Sequence, residues 1–351
     1  MSAEQLLLIG TYTKPEVHVP GGCGEGVVTC ALDLATGQIE RRSVYGNIQN
    51  PSYLAADPDS QYVFAVSEKI SSAGEVYQFQ LSAEGKLLPV AKQPTHGAAT
   101  CHVCVLPGDR VCAASYVGGC LDIYPLFKGE LMPANRVFYY QGQGMNPQRQ
   151  EASHAHQAVV APEGKWFYVC DLGADCVWQH DLAAEMPPVR WPMPPGQGPR
   201  HAVFHSTLPL LYVLGEMTGA VSVCDWDART GALKVVSTTG TLGDDASAAA
   251  IRLHPSGRTL WISVRKTPSL MAFSIDESGR LSKTAEIKLA AGEPRDFAIS
   301  PDGRWLVSAN QSANELAIVE LNPVTGLPVN SGMGRFAVNT PVSVLFLPTL
   351  P

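Results

Sequence analysis

With 351 residues, 45% of them hydrophobic and 16% charged, the chain is long enough for one large domain or two ordinary ones and too apolar to be disordered. Its formal net charge of -7 excludes a broad nucleic-acid surface, while leaving room for a local basic pocket. No apolar run approaches the length of a membrane span, and 32 glycines and 27 prolines spread along the chain point to many turns and short elements.

The first segment, MSAEQLLLIGTYTK, has no basic run before its short apolar stretch. It is therefore not read as a secretory leader, and the cytoplasm is the expected compartment. LLLIGTYT has the composition of a strand, and GVVTCALDLATGQI that of a second strand entering a hairpin. From there one pattern recurs: an apolar strand, a Pro-Asp or Gly-type turn, a second apolar strand, then a polar break. It occurs as NPSYLAADPDSQYVFAVSE (50–68), CHVCVLPGDRVCAASY (101–116) and SHAHQAVVAPEGKWFYVCD (153–171). It returns as GPRHAVFHSTLPLLYVLGE (198–216), AAAIRLHPSGRTLWISVR (248–265) and EPRDFAISPDGRWLVSANQ (293–311).

Most copies are followed by a third strand and a polar turn, as in AVSVCDWDARTGAL, and then an outer strand. Each unit thus reads as four antiparallel strands, A to D, with a period of roughly 45–50 residues, the size of a propeller blade. Six copies are complete. The C-terminal PVSVLFLP reads as a lone strand A that completes a seventh blade with the N-terminal strands. The expected fold is all-β: a seven-bladed propeller over residues 1–351, its ring closed by both ends of the chain, which removes the exposed edges an open array would have. The nine cysteines fall mostly in strand-like text and read as small buried thiols. CHVC (101–104) has no second pair at a zinc-like distance, so no metal is expected there.

In a propeller strand A lines the central channel and strand B runs back beside it. The start of A and the end of B therefore share one mouth. The starts of A carry His102, His154 with His156, Arg200 with His201, and Arg295. The ends of B carry Glu68, Tyr116, Asp171, Glu216, Arg265, Asn310 and Gln311, with Thr11 and Tyr12 in the seventh blade. The opposite mouth has ordinary turns such as LPGDR and SPDGR, and His205 and His254 there read as structural. Spacing i, i+2 predicts that His154 and His156 point from one face of a strand. Arginines outnumber nearby carboxylates, which favours an anionic ligand and disfavours a metal ion. No cofactor is expected.

The motifs IGTYT, NPSYLA, RQEASHAH, GPRHAVFH, LYVLGE and EPRDFAISPDGRWLVSANQ resemble those of the lactonase family of seven-bladed propellers, from Leu6 to about Leu347. That family includes propeller-type 6-phosphogluconolactonases and is similar to carboxy-cis,cis-muconate cyclases. The resemblance implies a catalytic mouth formed by His154 or His156, Glu216, Arg200 and Arg265. It implies ring opening of an anionic lactone by a metal-free acid/base mechanism, with Glu216 and a histidine sharing the proton transfers and arginines steadying the oxyanion. Glu68, His102, His201, Arg295, Asn310, Gln311 and Tyr12 are the expected substrate contacts, with Arg295 or His102 for a 6-phosphate. Ser115 stands where an asparagine is more usual, and the tail after Glu216 is less polar. No G-x-S-x-G elbow is present, so no serine nucleophile is called for. Two other readings fit the same pattern: a muconate-type lactonising cycloisomerase, and a non-catalytic propeller that binds a small anion or a protein partner. Neither nucleic acid nor membrane is an expected partner, and the assembly is expected to be a monomer or weak homodimer.

Overall fold

A computed structural model describes residues 4–57, 62–82, 84–184, 186–243, 245–290 and 292–347, with Ser331 described by its backbone alone. It consists of strands joined by turns, with a single 3-10 turn at Gln311–Ala313. The strands form seven antiparallel sheets. The first blade runs from strand A at Leu54–Ala56 to strand D at Leu87–Ala98, and the sixth from Pro294–Ile299 to Pro328–Ala337. In the seventh blade the C-terminal strand Pro341–Phe346 pairs with the N-terminal strand Glu4–Thr11, followed by Val27–Asp33 and Ile39–Tyr45. The second blade splits its outer strand into Glu130–Leu131 and Arg136–Tyr139. Each strand A packs beside the strands A of both neighbouring blades, which closes the ring. The turn DPDSQ of the first repeat lies largely outside the described residues.

Seven large apolar clusters hold the ring together, one at each junction between blades. The period-2 alternation of the strands explains this arrangement. In the N-terminal strand Leu7 and Ile9 pack toward the sixth blade, and Leu6 and Leu8 toward the first. Both faces of strands A to C are covered, so these segments read as continuous apolar runs. Outer strands such as Leu281–Lys288 alternate exposed and half-buried residues and carry charge, which protects them as edges. The A-to-B turns place Gly108, Gly164, Gly257 and Gly303 at φ between 68° and 76°, a region that favours glycine.

A second device crosses each of four junctions. An aromatic side chain on strand B donates a hydrogen bond to a C-to-D turn carbonyl of the next blade. Tyr168 reaches Gly231 O at 2.7 Å, Tyr212 reaches Gly279 O at 3.0 Å, Trp261 reaches Gly326 O at 2.9 Å and Trp305 reaches Leu34 O at 3.0 Å. These latches let bulky aromatics be buried without leaving their polar atoms unpaired.

Candidate active site

The mouth is shaped by an irregularity that strand alternation does not predict. In six of the seven blades the pairing of strands A and B slips near the mouth, leaving extra residues on strand A. The slip falls at Cys101 in the second blade, His156 in the third, Arg200 in the fourth and Arg295 in the sixth. Such a bulge re-aims a side chain at the rim of a sheet. All four residues line one cavity of about 390 Å³, within the usual size range of small-molecule sites. Ends of strand B and the following loops complete it with Glu68, Tyr116, Glu216, Arg265 and Gln311, and the residue before the sixth strand A adds Glu293.

Glu216 is the electrostatic centre of one wall. Its carboxylate meets Arg149 at 2.6 Å, Arg200 at 2.9 Å and Arg265 at 3.1 Å. Burial opposes its ionisation, but Arg265, Arg200 and Arg149 outweigh burial and hold its carboxyl well below the usual carboxylate range. Of the two expected roles for Glu216, acid or base, the charge around it disfavours that of the acid. It is a fixed anion that organises three guanidinium groups. Arg200 is further fixed by its hydrogen bond to Ala249 O, and Arg265 by one to Ser247 O at 3.0 Å. Burial, with Arg265 adding to it, lowers Arg200 to about 10, so it remains a cation at neutral pH.

Opposite, Tyr12 donates a hydrogen bond to Glu68 at 2.8 Å, and His18 Nε2 lies 3.0 Å from the Tyr12 oxygen and 3.7 Å from Glu68. Arg295 lies 5.3 Å over the Tyr12 ring. Among the described residues no carboxylate lies within ion-pair distance of Arg295. It is the cavity's uncommitted cation.

His154 and His156 part company. The bulge places His156 in the cavity, while His154 precedes the strand, stacks on Tyr116 with 4.3 Å between ring centroids, and meets Glu151 at 3.1 Å. His154 does not line the cavity. Their shared strand face is thus corrected. Burial and then Arg200 push the His156 imidazole well below its ordinary value, so it is neutral. Its Nδ1 lies 3.9 Å from Cys101 Sγ, a thiol that burial and Glu68 push up and keep protonated.

The other expected contacts sit behind the cavity wall or further along the channel. His102 packs on Tyr53 at 4.1 Å, and His201 on His102 at 6.0 Å. His201 lines a much smaller adjoining cavity with Tyr53 and Asp296, where Arg252 pairs with Asp296 at 2.7 Å. Tyr12 stands behind Glu68, and Asn310 accepts a hydrogen bond from Ser308 at 2.9 Å. Asp171 is tied to Ser153, the His154 backbone, Ala174 and Trp178, a structural role. Three charged or titratable cavity residues were not among the expected site residues, Arg149 and His18 because they lie outside the repeats. Arg149 comes from the long loop between the second and third blades, shaped by Asn146 and Gln150. His18 comes from the loop after the N-terminal strand, and Glu293 precedes the strand A of the sixth blade.

Among the described residues no group of three or more His, Cys, Asp or Glu side chains is placed to hold a metal ion. No helix among them is long and apolar enough to cross a membrane.

Comparison with known proteins agrees with this architecture. Residues 6–346 match the family model described as lactonase, seven-bladed β-propeller. A Bacillus subtilis protein named 6-phosphogluconolactonase is 27% identical over 353 residues, covering 97% of each chain. One of the same name from Formosa agariphila is 26% identical, covering 91% of this chain and 93% of its own. The solved structure of a periplasmic gluconolactonase from Pseudomonas aeruginosa superposes with a TM-score of 0.90 at 27% identity, covering 99% of this chain and 100% of its own. The chain belongs to the lactonase family of seven-bladed β-propellers, a family of lactone-hydrolysing enzymes.

Proposed function

We propose that this member of the lactonase family hydrolyses a sugar lactone, and that its substrate is 6-phosphoglucono-1,5-lactone, opened to 6-phosphogluconate. The observation that carries the reading is the cation excess at the mouth. Four arginines (149, 200, 265 and 295) line the cavity against three carboxylates (68, 216 and 293). Three of the arginines share Glu216, and among the described residues no carboxylate lies within ion-pair distance of Arg295. A guanidinium in this position is suited to phosphate, which it binds through paired N–H donors.

Ring opening needs an attacking water, donors for the tetrahedral oxyanion and a proton for the leaving ring oxygen. Arg200 and Arg265, fixed by Glu216 and by backbone carbonyls, provide donors that need not reorganise as negative charge develops. The proton transfers fall to neutral imidazole, and two imidazoles line the cavity, His156 of the SHAH pair and His18. The names of the B. subtilis and F. agariphila relatives support the phosphorylated substrate. The proposed compartment is the cytoplasm, in keeping with nine free thiols.

Arg295→Met tests the phosphate assignment. We expect KM for 6-phosphogluconolactone to rise by about tenfold or more, the scale of a lost charged hydrogen bond. KM for unphosphorylated gluconolactone should stay within about twofold. Equal effects on the two lactones would remove the phosphate from Arg295.

A further inference from the structure

Two imidazoles line the cavity, and the second, His18, belongs to no repeat. It sits at the tip of a tight hairpin in which Glu16 and Val19 exchange backbone hydrogen bonds at 3.1 and 2.9 Å. The fold pins this hairpin firmly. Val19 is buried against Tyr12 and Val342. Fully buried Asn50, at φ 46°, accepts hydrogen bonds from the Thr13 and Lys14 backbones, each at 2.9 Å, and donates to Glu16 at 3.2 Å. Val17, beside His18, is 93% exposed at the cavity rim. A loop held this rigidly, with one apolar and one imidazole side chain at its tip, is built to present them.

The hydrogen bonds also determine the tautomer. The Tyr12 hydroxyl donates its one proton to Glu68. The Tyr12 oxygen then accepts from His18 Nε2–H. This leaves the lone pair on His18 Nδ1, which no protein group among the described residues engages. The chain Glu68–Tyr12–His18 orients an imidazole and places a carboxylate 3.7 Å from it, ready to offset the imidazolium charge. His156 has no such partner. Glu216, the carboxylate acting on it, is already shared by three arginines, and Arg200 and Arg295 oppose its protonation.

We propose that His18 Nδ1, oriented by Tyr12 and Glu68, takes the proton from the water that attacks the lactone. The inference rests on the lactonase reading above. The water O–H bond breaks, its proton goes to Nδ1 and its oxygen bonds to the lactone carbonyl carbon. The bond from that carbon to the ring oxygen then breaks, and the ring oxygen receives the proton, leaving His18 neutral. Atoms and charge balance without a further reactant.

The groups facing His18 are Tyr12, Glu68, Arg295 and Arg265. Burial first and then Arg295 lower its imidazole to about 4, against the pull of Glu68. It is thus unprotonated, and available as a base, from about pH 5 upward.

The test joins kinetics to an observation that does not need turnover. For His18→Gln we expect kcat on 6-phosphogluconolactone to fall by about 10² or more with KM nearly unchanged, and the acid limb near pH 4 to disappear. NMR titration of the His18 ring should show Glu68→Gln lowering its midpoint further, because the offsetting charge is gone. Unchanged kcat in His18→Gln, a retained acid limb, or a His18 midpoint indifferent to Glu68→Gln would each overturn the proposal. A wild-type protein inactive on this lactone would instead contradict the substrate reading, and the NMR titration would still decide the relay.

Discussion

At the scale of single residues, the mouth is governed by charge placed where water is scarce. Glu216 has a relative accessibility of 5% and neutralises part of the charge of three arginines that would otherwise repel one another. Glu216→Gln keeps the shape and removes the charge. We expect it to cost about 3–5 kcal/mol of stability, as breaking a buried ion pair does, and about 10²–10³ in kcat through misplaced guanidiniums. Chemical denaturation and steady-state rates on the same sample measure both. Loss of activity with stability unchanged would mean that Glu216 acts on substrate directly. Much of this wall was legible in the sequence, because Arg200, Glu216 and Arg265 fall at fixed places in the repeat. Arg149 and His18 were not, because they come from loops that the repeat does not contain and only folding brings them to the cavity.

At the scale of strands, the bulge separates what the sequence shows from what it hides. The period-2 rule located the strand beginning near His154 but assigned both histidines to one face. One extra residue in the pairing between Ala155 and Gln157 reverses that relation. Nothing in SHAHQ marks a bulge, which is seen only in the pairing with the neighbouring strand Trp166–Asp171. The inter-blade latches were equally hidden, although the aromatic starts of strand B were in plain view. Trp261 is fully buried and donates to Gly326 O in the next blade. Trp261→Phe keeps most of the packing and leaves that carbonyl unpaired, so we expect a loss of about 1–3 kcal/mol. Trp261→Ala adds a cavity and should cost about 3–5 kcal/mol. Equilibrium denaturation measures both, and an undiminished stability in Trp261→Phe would show that packing alone matters at this junction.

At the scale of the whole molecule, seven similar apolar junctions close a ring with the N- and C-terminal strands in one sheet. The ring accounts for the polarity of the protein. At one mouth the A-to-B turns are ordinary β-turns, with His205 Nδ1 accepting hydrogen bonds from Thr207 and Leu208, and His254 engaging Ser256 and Gly303. At the other, bulges and loops gather four arginines around one cavity. The closed architecture was readable from the repeat, because each copy shows the same two apolar strands around the same turn. The central claim is that this mouth opens a phosphorylated sugar lactone without a metal ion. Its most direct test is the initial rate of 6-phosphogluconolactone hydrolysis by the purified protein, above the spontaneous rate, with and without EDTA. Protein-dependent hydrolysis that EDTA leaves unchanged is the expected result. No acceleration by the folded protein, or activity abolished by the chelator, would contradict it.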